Sequence, residues 1–154
     1  MGSSDSPALA PSFDPSNAQT YHAICQCGAV RYAVTLSPPL AQQKVVECNC
    51  SICSRNGYLF VYPSREQFFL QSGEEVLRSY SFGIKRMLHK FCGTCGSAVF
   101  ADPRMKEFGE KEFDLLAVNV RMFKDVKLKD LNIVPYDGWN KREFVDSEHL
   151  QTFA

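Results

Sequence analysis

The sequence predicts a mainly β fold of antiparallel sheets with few, short helices. Two observations favour this class: many short apolar runs are separated by glycine and proline, and few segments show the spacing of an amphipathic helix. A third is that seven cysteines fall into three tight groups, at residues 25–27, 48–53 and 92–95, which can tie together strands that are distant in sequence.

The first 20 residues differ in composition from the rest of the chain. They are rich in Ser, Pro, Ala and Asp and contain little that a core can bury. We therefore predict a disordered leader over residues 1–20 and a single domain over residues 21–154. A chain of 154 residues is long enough to bury its own core.

Strand signals begin at residue 30. Val30, Tyr32 and Val34 alternate with residues that can face solvent, which is the period of a strand with one buried face. The prolines at 38 and 39 end this strand. Further short apolar runs predict strands at residues 45–46, 59–62, 68–70, 76–80, 87–91, 98–100 and 115–120. Helix signals are limited to one turn at residues 64–67 and a short helix at 125–131.

Composition disfavours several classes of partner. Seventeen basic residues balance seventeen acidic ones, which argues against a nucleic-acid partner because such a surface is normally basic. No apolar run approaches the ~18 residues that span a bilayer, so we expect no membrane partner. The sequence says nothing about oligomeric state.

The count and spacing of the cysteines indicate metal binding rather than disulfides. Seven is an odd number, so complete internal pairing is impossible, and cysteines one residue apart are poorly placed to bridge each other. The N-terminus lacks the features of a secretory signal, so we expect a cytoplasmic, reducing environment. A division of four plus three predicts two zinc ions, one in a closed structural site and one in a site with an open, catalytic position.

The spacing suggests how the cysteines divide. Cys92 and Cys95 form a knuckle followed by glycine, and Cys25 and Cys27, also followed by glycine, are the natural second pair of a closed four-thiolate site. Cys48, Cys50 and Cys53 remain as the open site. In one alternative, Cys53 is merely a buried apolar residue and Cys48 or Cys50 belongs to a shared site. In another, a histidine or an aspartate fills the fourth corner of the trio and makes the site structural, the histidine candidates being His22, His89 and His149.

Three segments carry a resemblance to a known family. They are CQCGAVRY from Cys25, CNCSICSRNG from Cys48 and FCGTCGSAVF from Phe91, and they are joined by AVNVR from Ala117 and the following DVKLKDL. Over residues 21–137 the chain resembles the glutathione-dependent formaldehyde-activating enzymes, a group that includes relatives of centromere protein V.

The resemblance implies an Mss4-like fold of folded antiparallel sheets with the same four-plus-three division of zinc ligands. It also implies a carbon–sulfur lyase that joins or cleaves a one-carbon group at the sulfur of glutathione, a small-molecule thiol. Many members have histidine at the position of Asn49, so the role of Asn49 stays open, as do those of His89 and Trp139.

The expected chemistry is addition to, or elimination from, a thiol-bound carbon at the zinc of the trio. We expect Cys48, Cys50 and Cys53 to be catalytic as zinc ligands. Arg55 joins them as a catalytic candidate that can pair with a substrate carboxylate, and Arg121 can do the same. Asn119 is a candidate for a hydrogen bond into the site, and we group it with Arg121 as a binding residue. Arg121 can equally face solvent from a strand, and Asn119 can equally serve a turn.

Two aromatic residues, Tyr58 and Phe60, can wall the pocket or simply pack in the core. Trp139 can cap an opening or pack on the sheet. A competing function of a different class is a non-catalytic, zinc-stabilised module that binds a protein partner or chromatin. A larger thiol conjugate is a further alternative for the substrate.

Overall fold

A computed structural model describes residues 12–110 and 112–141. Its architecture is mainly β, which confirms the predicted fold class. Ten strands and one α-helix follow in chain order: β1 (Gln19–Ile24), β2 (Arg31–Leu36), β3 (Lys44–Cys48), α1 (Ser51–Asn56), β4 (Phe60–Val61), β5 (Phe68–Ser72), β6 (Leu77–Tyr80), β7 (Leu88–Cys92), β8 (Ala98–Asp102), β9 (Ala117–Asn119) and β10 (Asn132–Tyr136). Short 3₁₀ turns connect several of them.

The strands form two sheets. One has three strands in the order β1-β2-β5, and the other has seven in the order β10-β3-β4-β9-β8-β7-β6. The main core lies between the sheets, where Tyr32 and Val34 of β2 pack with Val99 and Val118 of the larger sheet. A smaller apolar cluster surrounds Cys53 and includes residues of β4, β8 and β9.

One strand pair is parallel, whereas the others are antiparallel. The last strand, β10, runs alongside β3 so that Tyr136 is opposite Cys48. It contains Pro135, which cannot donate a backbone hydrogen bond and is therefore suited to an edge strand. This pairing carries the segment after Tyr136 directly to the central cysteine group.

Three details differ from the sequence prediction. Regular structure is already present before residue 21, since a 3₁₀ turn spans Pro15–Asn17 and β1 begins at Gln19, both within the range predicted as a leader. Residues 1–11 lie outside the described residues. The helix predicted over 125–131 is only a 3₁₀ turn, Leu128–Asp130, since Asp125 has a φ of 60° and Lys127 is extended. The third difference is α1, which the sequence did not predict.

No helix within the described ranges has the length and apolarity needed to cross a membrane.

Candidate metal centres and active site

The first cluster joins the two sheets. Cys25 and Cys27 lie in the turn after β1, and Cys92 and Cys95 lie at the end of β7 and in the turn after it. The four Sγ atoms are all within 4.8 Å of one another. Cys27 Sγ is 3.6 Å from Cys25 Sγ and 3.7 Å from Cys92 Sγ. Tetrahedral zinc at about 2.3 Å from each sulfur holds the sulfurs ~3.8 Å apart, so this set fits a closed zinc site.

Neighbouring polar groups support these four sulfurs. The backbone N–H of Val30 donates to Cys25 Sγ at 3.2 Å, and Cys95 Sγ is 3.2 Å from Ser97 Oγ, whose hydroxyl can donate to the Cys95 thiolate. The same Ser97 oxygen accepts the N–H of Gln26, 71 residues earlier in the chain. The hydrogen bond to Ser97 lowers the pKa of Cys95 to about 5, which favours the thiolate that a metal requires.

The second cluster is built around α1. Cys48 is the last residue of β3, Cys50 is the N-cap of α1, and Cys53 is within the helix. Gly57 ends the helix in the left-handed conformation, with a φ of 62°. This short turn of helix brings the sulfurs of residues 48, 50 and 53 within 4.8 Å of one another.

The trio has the electrostatics of a metal site. Thiol hydrogen bonds from Cys48 and Cys53 lower the pKa of Cys50 to about 3, while the same contacts raise the pKa values of Cys48 and Cys53. Three sulfurs this close repel one another when all are ionised, which is why the pKa falls at one of them and rises at the other two. A bound cation removes that repulsion, and soft thiolates select zinc or another thiophilic metal. All seven cysteines are free thiols.

A cavity of about 230 Å³ adjoins the trio. It lies on one face of the seven-stranded sheet, where neighbouring strands contribute Cys48, Phe60, His89, Ala117 and Tyr136 to its lining. Helix α1 covers one side of it, and the residues before β7 and after β10 cover others. The cavity is open to solvent on part of its surface and lined largely by apolar and aromatic groups. The four-cysteine cluster contributes none of the lining.

His89, in β7, is a buried polar residue that lines the cavity. It is stacked between the rings of Tyr58 and Phe82, with centroids 5.9 and 5.8 Å away. Its Nδ1 is 3.2 Å from the Tyr58 hydroxyl, and no residue that the structure describes hydrogen-bonds to Nε2. Burial lowers the pKa of His89 to about 4, so the ring is neutral near pH 7.

Residues 136–141, which we call the C-terminal strap, pass over the trio. Asn49 ties the strap down: its Nδ2 donates to Asp137 Oδ1 at 3.0 Å, and its Oδ1 accepts the N–H of Trp139 at 2.8 Å. The N–H of Asn49 also donates to the carbonyl of Tyr136 at 3.1 Å. The open question of Asn49 thus has a structural answer, since this side chain bonds to both ends of the turn that contains Gly138.

Gly138 is the point of closest approach. A Cβ placed on it would overlap Cys48 Sγ and lie 3.2 Å from Cys50 Cβ. The strap can therefore reach the sulfurs only because this residue has no side chain. Lys141, at the end of the strap, also lines the cavity and holds its ammonium 5.7 Å from the centroid of the Tyr136 ring.

The structure places the other predicted site residues away from the cavity lining. Arg55 Nη1 donates to the carbonyl of Ser51, within α1. Arg121 Nε donates to the carbonyl of Gly57 at 2.6 Å, at the end of the helix. Asn119 is fully buried and bonds to backbone groups, accepting the N–H of Leu59 and donating to the carbonyl of Ala98. None of the three is among the lining residues.

The histidine alternatives can also be placed. Among the described residues, no histidine nitrogen joins the three sulfurs of the trio within 4.8 Å. His22 is an exposed residue of β1, His89 lines the cavity, and His149 lies outside the described residues. Cys53 Sγ lies within 4.8 Å of both other sulfurs, where a third zinc ligand is expected.

Of the two predicted aromatic walls, Phe60 lines the cavity, whereas Tyr58 packs behind it with ring centroids 4.4 Å apart. Sequence reasoning missed Tyr62, Phe82, Met87, Gly138 and Lys141 as lining residues. No local motif marks them, because they come together only through strand order and the parallel pairing of β10 with β3.

Comparisons with known proteins identify a similar structure and a family. A solved crystal structure of a Rhodobacter sphaeroides protein is similar to this chain, with a TM-score of 0.63 and 30% sequence identity over 75% of this chain and 98% of that one. The family model described as glutathione-dependent formaldehyde-activating enzyme matches residues 20–128, which contain all seven cysteines. The chain therefore belongs to the family of glutathione-dependent formaldehyde-activating enzymes.

Proposed function

We propose that the protein is a zinc-dependent carbon–sulfur lyase that forms and cleaves the adduct of a small-molecule thiol, such as glutathione, with an aldehyde. The observation that carries the proposal is the difference between the two cysteine clusters. The quartet contributes nothing to a cavity, whereas the trio lies in the wall of one that can admit a substrate. A purely structural trio, as in a protein- or chromatin-binding module, has no need of this cavity.

The residues present fit the metal that this chemistry requires. Cys48, Cys50 and Cys53 would hold zinc with three thiolates and leave one coordination position for the substrate. Zinc bound there supplies a Lewis acid that keeps the sulfur of the substrate thiol ionised at neutral pH. The cysteines themselves hold that position at the cavity wall, so that the sulfur and the aldehyde meet in one place.

We assign proton transfer to His89, as the base that accepts the hydroxyl proton of the adduct. A thiol–aldehyde adduct carries a hydroxyl on the carbon bonded to sulfur, and cleavage releases that proton as the carbonyl forms. In the tautomer whose Nδ1–H donates to Tyr58, His89 Nε2 accepts the hydroxyl proton and returns it in the reverse direction. Burial keeps the ring neutral near pH 7, so Nε2 has a free lone pair for this hydrogen bond.

The surrounding side chains exclude water and position the thiol. Phe60, Phe82 and Met87 form apolar walls beside the trio. Lys141 provides a positive charge at the cavity for a carboxylate of the thiol, a role that the sequence had suggested for Arg55 and Arg121. Free thiols in the site and a thiol substrate also suit a cytoplasmic, reducing location.

The test is catalysis of a reaction that also occurs slowly without an enzyme. Exchange between glutathione, formaldehyde and their adduct is followed by NMR with zinc-loaded protein at catalytic concentration. We expect faster exchange with the wild type and none above background with Cys50→Ser. Phe113→Ala, an exposed aromatic outside the cavity, is the control that should retain the wild-type rate. The lyase proposal would be refuted if the zinc-loaded wild type did not accelerate exchange above the background rate with any aldehyde tried.

A further inference from the structure

The cavity is larger and more apolar than a one-carbon substrate requires. We propose, given the lyase function above, that the aldehyde part of the substrate is an aromatic or branched aliphatic group rather than formaldehyde. The inference rests on the volume of the cavity, the chemistry of its walls and its position against the trio.

Volume is the first argument. An apolar cavity of about 150 Å³ is known to bind benzene. The present cavity of about 230 Å³ therefore has room for a ring or a branched chain of comparable or greater size. A hydroxymethyl group would fill only a small part of it, beside the sulfur of the thiol at the trio.

The walls provide the second argument. Phe60 and Ala117 are buried side chains of adjacent strands, and Phe82, Met87 and Ile52 close around them. Water against such walls makes few hydrogen bonds, so an apolar substituent that displaces it gains affinity. The charges and amides of a tripeptide thiol such as glutathione do not match these walls, so the apolar group they suit is the aldehyde substituent, while the charged part of the thiol extends toward solvent.

The polar groups at the cavity suit the rest of such a substrate. His89 lines the cavity among the apolar side chains, where it can hydrogen-bond the hydroxyl on the adduct carbon. Lys141 is exposed at the end of the strap, where it can contact an anionic part of the thiol that extends to solvent. One adduct thus presents its apolar substituent to the walls, its hydroxyl to His89 and its charged end to Lys141.

The reaction needs no additional reactant. In the cleavage direction the carbon–sulfur bond breaks, sulfur keeps the electron pair, and the hydroxyl proton leaves as the carbonyl of the larger aldehyde forms. Neither partner is oxidised or reduced.

Binding of unreactive analogues tests the inference without requiring turnover. S-benzylglutathione and S-methylglutathione share the thiol part and differ in the group placed in the cavity. We expect calorimetry on the zinc-loaded protein to give at least tenfold tighter binding of the benzyl compound. Equal affinity, tighter binding of the methyl compound, or no binding of either would overturn the inference.

Variants connect that preference to the cavity. Phe82→Ala removes a half-buried wall, so it should reduce the benzyl preference to less than threefold, whereas Phe113→Ala should leave it unchanged. A benzyl preference that persists in Phe82→Ala and in a second wall variant, Met87→Ala, would place the substituent elsewhere and contradict the proposal.

Turnover separates this inference from the lyase function. With glutathione, we expect kcat/KM for the benzaldehyde adduct to exceed that for the formaldehyde adduct at least tenfold. Faster turnover of the formaldehyde adduct would overturn the inference and leave the lyase function intact. Tight binding of S-benzylglutathione without turnover of any adduct would support the inference about the cavity and refute the lyase function.

Discussion

The backbone of Gly138 lies against the sulfur of Cys48, closely enough that a methyl group on its Cα would overlap that sulfur. The two residues are 90 positions apart in sequence, and the parallel pairing of β10 with β3 brings them together. The strap thereby packs directly against the trio and limits the directions in which Cys48 can move.

The first prediction is that Gly138→Ala weakens metal binding at the trio without unfolding the protein. The added methyl group displaces either Cys48 Sγ or the strap, so the three sulfurs no longer hold their spacing. Contacts that hold a metal ligand in position, as the strap holds Cys48, change metal affinity by about 10–100-fold when they are lost. We expect zinc transfer to a chromophoric chelator from the trio to accelerate at least tenfold, with the quartet unaffected.

Gly109→Ala is the matched control. A Cβ there meets nothing within 4 Å, although its φ of 88° makes the substitution mildly strained. It should lower stability by about 1 kcal/mol and leave both zinc-release rates unchanged. Equal release from Gly138→Ala and Gly109→Ala would show that the contact with Cys48 is of no consequence.

The second prediction concerns Asn49. Its amide donates to Asp137 and accepts from Trp139, so Asn49→Ala releases both ends of the turn around Gly138. Asn49→Asp retains an acceptor for Trp139 but places a second carboxylate against Asp137, whose pKa is held below its ordinary value first by the Asn49 hydrogen bond. Both variants should lose zinc from the trio faster than the wild type, by about tenfold.

Hydrogen exchange reports the cause of that loss. In both Asn49 variants the backbone amides of the strap, including that of Trp139, should exchange faster, whereas the amides of the core strand β2 should remain protected. Unchanged protection across residues 136–141 would mean that the strap is held by other contacts.

The third prediction is a pH dependence of stability due to His89. Its pKa is about 4 in the folded protein and ~6.5 in an unfolded chain. Between these values the unfolded state binds the proton more readily, so the free energy of unfolding falls as the pH falls from 6.5 to 4. The full difference amounts to about 3 kcal/mol, present above pH 6.5 and lost by pH 4.

His89→Phe isolates this effect. Denaturant titrations at several pH values give the free energy of unfolding of the wild type minus that of the variant. This quantity should fall by about 3 kcal/mol as the pH falls from 6.5 to 4. The lost Tyr58 hydrogen bond adds an offset that does not change with pH. Acid release of zinc affects both proteins and largely cancels in the comparison. A difference that does not change with pH would mean that His89 is already solvated in the folded state.

The fourth prediction tests the core. The hydroxyl of Tyr32 is buried between the sheets and has no hydrogen-bond partner among the described residues. Tyr32→Phe removes the unsatisfied group and retains the ring that stacks on Phe68 at 5.1 Å. We expect the free energy of unfolding to rise by about 1 kcal/mol, measured by denaturant titration. A loss of stability of similar size would reveal a partner for that hydroxyl.

Sequence reasoning was most effective where a local pattern determines the structure. The alternation around Val34 identified β2, and the grouping of cysteines identified both sets of sulfurs that the fold brings together. Helix α1 was missed because six residues are too few to show a helical period, and its signals, the N-cap at Cys50 and the glycine at 57, are also ligand and turn residues.

The cavity itself was beyond local reasoning. Its walls come from strands whose order in the sheet is not their order in the chain, and β10 was not predicted because its Pro135 disfavours a central strand. The pairing of β10 with β3 also explains why a charged residue lining the cavity is Lys141. Arg55 was expected there because it follows Cys53 closely, and Arg121 because it interrupts an apolar run.

The zinc content of folded Cys50→Ser tests the division into a structural quartet and an open trio most directly. We expect two zinc ions per chain in the wild type and one in the variant, with a thermal unfolding midpoint lowered by no more than about 5 °C. Cys92→Ser, by contrast, removes a sulfur that joins the two sheets and should lose cooperative unfolding. A Cys50→Ser protein that unfolds, or that loses both zinc ions, would show that the trio is structural and contradict the account.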